Sequence, residues 1–272
     1  MKRLATVSIA AAIMLCGCGV KSTEDSQTKE LLLYCGAGLR PPVNELVETF
    51  ERLHGIKIVA DYAASEVLLS RIKLGRRGDL YMPGDEYYIE QAAGKGMILS
   101  QKTVCYFVPA ILVQKGNPKN IRSLQDLLQG GLKIGLGDPN VCAIGRKTRE
   151  IFAKNNIDRD EIWKNVVFLS LTVNELGMQI QACSLDAVIV WDAVARYYAN
   201  YGDQIPIPVE NNCVSTVDIG VLAFTKNRLP AEKFVEFAAS EQGQAIFKKH
   251  NYQTKAPKQG SVKLIEPGDA TK

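Results

Sequence analysis

The chain has 272 residues, 46% of them apolar, and a formal charge of +4. That is long and apolar enough to bury the core of one large α/β domain or of two lobes. Lys and Arg are interspersed with Asp and Glu rather than gathered into a stripe, which argues against a nucleic-acid interface.

The chain opens with Lys2 and Arg3, runs apolar from Leu4 to Leu15, and reaches Gly17 and Cys18. That run is short of the ~20 residues that span a hydrocarbon core. A basic start, an apolar middle and a small residue before cysteine form the pattern of a lipoprotein signal peptide. Residues 1–17 are therefore expected to be removed and Cys18 lipidated, leaving a membrane-anchored protein on the periplasmic or cell-surface side. Cleavage takes away Lys2 and Arg3 and halves the formal charge of +4. Residues 18–30, polar through Ser22, Thr23, Glu24 and Asp25, read as a flexible tether, and residues 257–272 as a weakly structured tail.

Residues 31–34 are an apolar run closed by Cys35-Gly36-Ala37-Gly38, the pattern of a buried parallel strand entering a tight turn. Beyond Arg40-Pro41-Pro42, the residues Val43, Leu46, Val47, Phe50 and Leu53 recur at helical spacing. Prolines suit a first helical turn, whose N–H groups have no intrahelical partner. Residues 56–60 predict the next strand, and after a loop at Tyr62 to Ser65, Val67, Leu68, Ile72 and Leu74 predict a second helix. Residues 79–82 read as a third strand and 86–94 as a helix. An extended stretch over 104–113 leads into the turn Lys115-Gly116-Asn117-Pro118.

A second round follows: a helix over 123–128, a strand over 132–136, the loop Gly137-Asp138-Pro139 and a helix over 144–154. Then come a strand at 166–169, a helix at 173–182 and a strand at 187–190. Residues 217–225 read as extended and 231–249 as one helix. Such alternation predicts an α/β protein with mostly parallel sheets flanked by helices. Two rounds predict two lobes, residues 31–107 with 214–256 and residues 108–213, joined by a two-strand hinge near Val108 and Cys213. Strand ends and helix starts of both lobes would then surround one cleft.

Setting aside Cys16 and Cys18 leaves Cys35, Cys105, Cys142, Cys183 and Cys213, without the CxxC spacing of a zinc or redox site. An oxidising compartment permits one or two bridges among them, with the pairing left open. His54 and His250 lie near predicted helix ends on polar ground and are expected to be solvated. No Ser/His/Asp arrangement is present, so no catalytic residue and no enzyme are expected. One enzymatic alternative is a dinucleotide fold, since Gly36-Ala37-Gly38 follows a strand and Asp61 ends the next. Pro41 stands where that fingerprint needs its third glycine, and the match fails there.

The segments Asp79-Leu80-Tyr81-Met82-Pro83-Gly84-Asp85-Glu86, Lys115-Gly116-Asn117-Pro118, Ile134-Gly135-Leu136-Gly137-Asp138-Pro139 and Gln242-Gly243-Gln244-Ala245-Ile246-Phe247 occur in a telling order and spacing. Over residues 31–252 the chain resembles the molybdate-binding proteins of ABC uptake systems, a class II periplasmic solute-binding family. The resemblance implies a monomer without cofactor that captures a tetrahedral oxyanion, molybdate or tungstate, for an ABC permease of the inner membrane. It also implies a site of neutral donors, hydroxyls and helix-start amides, where unpaired N–H groups and about half a positive charge per terminus offset the cost of stripping water from the ion.

By position, Gly38 stands where the family has its first serine and Ser65 where it has its second. Ile144 and Val173 fall at main-chain contacts, and Trp191 where a tyrosine donates its hydroxyl. Gly38 and Trp191 depart from that pattern, because one offers only its backbone and the other only an indole N–H. A shifted ligand is therefore the alternative: another oxyanion, a carboxylate stacked on Trp191, or a metal complex. Arg40 adjoins the first loop and is a further candidate contact. Glu66 and Asp192 follow Ser65 and Trp191; facing the cleft they would repel a dianion unless protonated, paired or metal-bound, and turned away they would brace helix starts. No other protein-held cation site is expected. Ser65 has the alternative role of helix N-cap. Cys35 and Cys142, beside two candidate ligand loops, raise the idea of a soft-metal or reduced-sulfur ligand against that of buried thiols.

Overall fold

The computed structural model describes residues 30–257. The segment expected to be a signal peptide, the expected lipidation site Cys18, nearly all of the expected tether and the tail beyond Pro257 lie outside the described residues. Among those described, no helix is long and apolar enough to cross a membrane.

The chain begins with β1 (Glu30–Gly36), a 3₁₀ turn (Ala37–Leu39), α1 (Arg40–His54), β2 (Lys57–Ala63), α2 (Ser65–Gly75), β3 (Leu80–Met82), α3 (Glu86–Ala93) and β4 (Ile98–Phe107). There follow β5 (Pro109–Gln114), a 3₁₀ turn (Gln125–Leu128), β6 (Ile134–Gly137), α4 (Ala143–Lys154), α5 (Arg159–Trp163), β7 (Val166–Ser170), α6 (Val173–Gln181), β8 (Ala187–Trp191), α7 (Asp192–Tyr197) and β9 (Gly202–Pro206). The last elements are β10 (Ser215–Leu222), α8 (Arg228–Ala239) and α9 (Glu241–Lys249).

These strands form two five-stranded sheets, ordered β2-β1-β3-β10-β4 and β7-β6-β8-β5-β9. The two-lobed α/β architecture expected from the alternation is present, and each sheet is mixed. Parallel pairing holds for β1 with β2 and β3, and for β6 with β7 and β8. Those are the strands separated by crossover helices, which parallel neighbours require. By contrast β5 and β10 enter directly from the other sheet, with no crossover, and pair antiparallel with their neighbours.

Phe107 ends one sheet's last strand and Pro109 starts the other's, so the predicted single extended stretch is two strands broken at Val108. The return passes Asn212, a buried side chain whose amide donates to Pro109 O at 2.8 Å and Ile207 O at 3.2 Å. The predicted helix over 231–249 is two helices. Ser240 interrupts it with an extended backbone (ψ 168°), donating its hydroxyl to Phe237 O at 2.6 Å and accepting from Gly243 N at 3.2 Å, which caps α9. The helix expected near Ser123 is only the 3₁₀ turn Gln125–Leu128. The short elements α5, α7 and β9 are additional, each too brief for its period to stand out in the sequence.

Alternating Leu31 and Leu33 of β1 are fully buried, as are Val43, Leu46 and Phe50 on one face of α1. Phe50 meets Phe234 edge-on at 5.0 Å and Phe237 at 5.5 Å, which fastens the C-terminal α8 onto α1. Each such phenylalanine contributes about 1.5–3 kcal/mol through burial. His54 belongs to this cluster, edge-on to Phe50 at 4.6 Å, and desolvation with nearby Lys233 lowers its pKa. His250 bonds Glu45 through Nε2 at 2.8 Å, with Tyr197 of α7 3.4 Å from Nδ1. Neither histidine is simply solvated: the packing of α8 and α9 on α1, invisible in a local window, supplies the partners.

Candidate functional site

Between the two sheets lies a cavity lined by Gly36, Ala37, Gly38, Ala63, Ala64, Ser65, Gly84, Phe107, Cys142, Ala143, Ile144, Leu171, Thr172, Val173 and Trp191. It admits the centre of a water-sized sphere over about 20 Å³. Adding that sphere's ~1.4 Å radius gives a void roughly 3 Å in radius, the size of a tetrahedral oxyanion. The lining holds no Asp, Glu, His, Lys or Arg.

The lining is built from strand-to-helix junctions. From one lobe come the β1-to-α1 turn and the start of α2; from the other come the starts of α4 and α6. The residues before α2, α4 and α6 are Ala64, Cys142 and Thr172, and none makes a side-chain capping bond. Elsewhere Asp85, Asp158 and Ser240 do cap α3, α5 and α9. Starts without a side-chain cap bring partial positive charge to the cavity, and at α2 the Glu66 amide reaches across the cleft to Val141 O at 3.4 Å. The Cys142 thiol faces the amides of Gly145 and Ile144, which oppose the burial that pushes its pKa up to about 12.

Ser65 is buried, and its Oγ accepts from Gly84 N at 3.1 Å, while Tyr81 donates its hydroxyl to Ser65 O at 3.1 Å. It is the first residue of α2, not its N-cap, which is Ala64. With the oxygen engaged by Gly84, the Ser65 hydroxyl hydrogen is available to the cavity.

Gly38 is fitted by its neighbours. A Cβ there would lie 2.9 Å from Val173 Cγ1, 3.4 Å from Trp191 Cδ1 and 3.6 Å from Phe107 Cζ. Trp191 is nearly fully buried and stacks on Phe107 with centroids 4.6 Å apart and planes 5° from parallel. The space a serine would need at 38 is thus filled from the facing lobe. Gly38→Ser is expected to cost about 1–3 kcal/mol of closed-state stability through overpacking, and Val173→Ala in the same chain to recover part of it. Denaturation midpoints of the single and double variants measure this.

Gly38, Ser65, Ile144, Val173 and Trp191 therefore share one cavity, while Arg40 does not line it. Arg40 is exposed, and its guanidinium lies 4.2 Å over the Tyr62 ring. Glu66 turns along its own helix, with Ser70 at 3.3 Å and Lys73 at 3.8 Å. Asp192 is buried beneath the site, accepting from Ala193 N at 2.8 Å, with Gln253 Nε2 at 3.4 Å from its other oxygen. Burial raises its pKa to about 6. The two carboxylates do not converge, and among the described residues no cluster of His, Cys, Asp and Glu could hold a metal ion. Asp61, the acid of the dinucleotide alternative, is engaged by Arg71 at 2.6 Å.

All five described cysteines are free thiols, with Cys35, Cys105 and Cys142 buried. Cys142 lines the cavity and Cys35 does not. Sequence reasoning missed Phe107, Thr172 and Asn174; the last donates its side-chain amide across the cleft to Ala37 O at 3.1 Å. No local motif marks them, and Phe107 and Asn174 act through partners on the other lobe, Trp191 and Ala37.

Residues 31–253 match the family model described as bacterial extracellular solute-binding protein. The chain belongs to that family. It is 26% identical over 228 residues to a binding protein of Haemophilus influenzae, covering 84% of this chain and 92% of the relative. It is 23% identical over 249 residues to the molybdate-binding protein ModA of Mycobacterium tuberculosis, covering 89% and 93%. In structure it resembles the periplasmic molybdate-binding protein of Azotobacter vinelandii, with a TM-score of 0.72 at 17% identity over 84% of this chain and all of the other. That last likeness concerns the fold. Within this family fold, the cavity of the solute-binding protein lies where both lobes contribute helix starts.

Proposed function

We propose that this protein captures a tetrahedral oxyanion, molybdate or tungstate foremost, between its lobes and delivers it to an ABC permease. The observation that carries this reading is the convergence of uncapped helix starts from both lobes on a void roughly 3 Å in radius that no charged side chain lines. Neutral donors with partial positive charge favour an anion without a counter-ion. The absence of a carboxylate from the lining leaves no anionic acceptor for the proton of hydrogen phosphate, which favours fully ionised dianions. The names of the relatives point the same way. Lipidation at Cys18 would hold the monomer at the outer face of the membrane that carries its permease, and no reaction on the ligand is part of this function.

Titration calorimetry with molybdate, tungstate, sulfate, phosphate and arsenate tests it. Molybdate and tungstate should bind, and Ser65→Ala should weaken both about 10-fold or more, since it removes a donor and leaves Gly84 N unpaired at about 1–3 kcal/mol. No heat from either ion would refute the molybdate and tungstate assignment, and no heat from any of the five would refute the oxyanion reading.

The missing hydroxyls at Gly38 and Trp191 favour a second reading, a small solute of different shape held in the same cavity; Trp191, nearly fully buried and stacked on Phe107, contacts it by its edge and not by stacking. A thermal-shift screen with carboxylates and metal complexes separates the two, because a ligand at 100 times its Kd adds ~2.7 kcal/mol.

A further inference from the structure

One residue beyond Gly84 on one side of the cavity, and two beyond Ile144 on the other, the lobes meet through charge. Asp85 and Glu86 stand at the start of α3; Arg146, Lys147 and Glu150 stand on α4. Asp85 is fully buried and Lys147 nearly so. The Arg146 guanidinium grips Asp85 in bidentate fashion, Nη2 to Oδ1 at 2.9 Å and Nε to Oδ2 at 3.1 Å. Lys147 pairs with Glu86 and lies 3.9 Å from Asp85. Behind them Ser215 donates to Glu86 at 2.8 Å and Thr216 N at 3.0 Å, so the chain's return to the first sheet braces the same carboxylate.

Every member of the two gripping pairs has its partner on the opposite lobe. The α3 side presents acids and α4 presents the two bases, which also share Glu150 of their own helix (Lys147 at 3.5 Å). Closing therefore adds Asp85 and Glu86 to them, and opening returns those two carboxylates to water and leaves the bases with Glu150 alone. A buried pair gains little net stability, because desolvation offsets attraction, but removing one partner strands the other and is strongly unfavourable. Such a pair selects one geometry, and here that geometry is the closed one. It also sets the starts of α4 and the Gly84 loop against each other, and those carry cavity-lining amides.

We propose that Asp85, Glu86, Arg146 and Lys147 form an interlobe latch that fixes the closed arrangement and sets ligand affinity through the fraction of closed molecules. The latch touches no ligand atom, so it acts on affinity and not on selectivity. It rests on the two-lobed fold and not on which solute is held.

Solution X-ray scattering of the ligand-free protein, with Asp85→Asn, Arg146→Met and the double variant, tests this. Asparagine still caps α3, and Arg146 has no capping role, so two independent variants report on one contact. Each single variant should have a larger radius of gyration than the parent, and the double should recover toward it. Sodium molybdate should bind each single variant about 10-fold more weakly, as a closed fraction reduced to a tenth requires, with the molybdate-to-sulfate ratio unchanged. Single variants that scatter as the parent does overturn the latch. If the parent fails to bind molybdate, the molybdate assignment falls while the scattering still decides the latch.

Discussion

Gly145→Ala should lower the melting temperature by roughly 6–12 °C, although glycine to alanine inside a helix ordinarily adds about 1 kcal/mol. A Cβ at 145 would lie 2.3 Å from Gly137 O and 2.5 Å from Gly137 C. Those atoms belong to Gly137, which ends β6 and pairs with Ser170 of β7, while the strand's earlier residues pair with β8, so the strand resists yielding. Helix α4 must lift instead, at a cost taken as about 3 kcal/mol, the upper part of the overpacking range. Because α4 starts with Ala143 and Ile144, the lift also withdraws cavity amides, and anion binding should fall with stability. Gly130→Ala is the control: nothing lies within 4 Å of a Cβ there, and its melting temperature should hold or rise slightly. Thermal melts of both variants decide the matter, and an unaltered Gly145→Ala protein would refute the close-approach argument.

Trp191→Ala should cost about 3–5 kcal/mol in denaturant unfolding, the range for a large buried aromatic. Trp191 ends β8, lies opposite Pro109 at the crossover between sheets, and stacks on Phe107. Its loss opens a hole where the lobes meet the cavity. Trp191→Phe keeps most of the packing and should remain within about 1.5 kcal/mol of the parent, yet it lacks the indole N–H. If that N–H donates to the ligand, Trp191→Phe should bind several-fold more weakly, in line with the ~1 kcal/mol of one hydrogen bond. Calorimetry beside unfolding curves separates the roles, and unchanged affinity in Trp191→Phe would reduce the residue to packing.

The junction residues were the legible part of the site. Gly36-Ala37-Gly38, Ser65, Ile144 and Val173 each lie where an apolar strand run gives way to a helical period, a pattern visible within a dozen residues. Side-chain direction was not legible. Arg40, adjacent to the first loop, stacks on Tyr62 outside the cavity, and Asp192, adjacent to Trp191, points beneath it. Consecutive residues such as Cys142, Ala143 and Ile144 do line the one cavity, but the side chain of the next residue along can turn away, so adjacency alone does not place a side chain in it.

Strand-helix alternation, turn chemistry and the resemblance carried in a few segments were enough, from the amino-acid order alone, to specify a two-lobed α/β protein and the loops that approach its cleft. Only the folded chain decided what crosses that cleft. The Asp85–Arg146 pair joins residues 61 positions apart, and the antiparallel insertion of β10, the stacking of Trp191 on Phe107 and the fit of Val173 against Gly38 are likewise long-range. Local periodicity reports which face of an element is buried; which partner meets that face depends on how the two lobes close, and closure is a property of the whole chain.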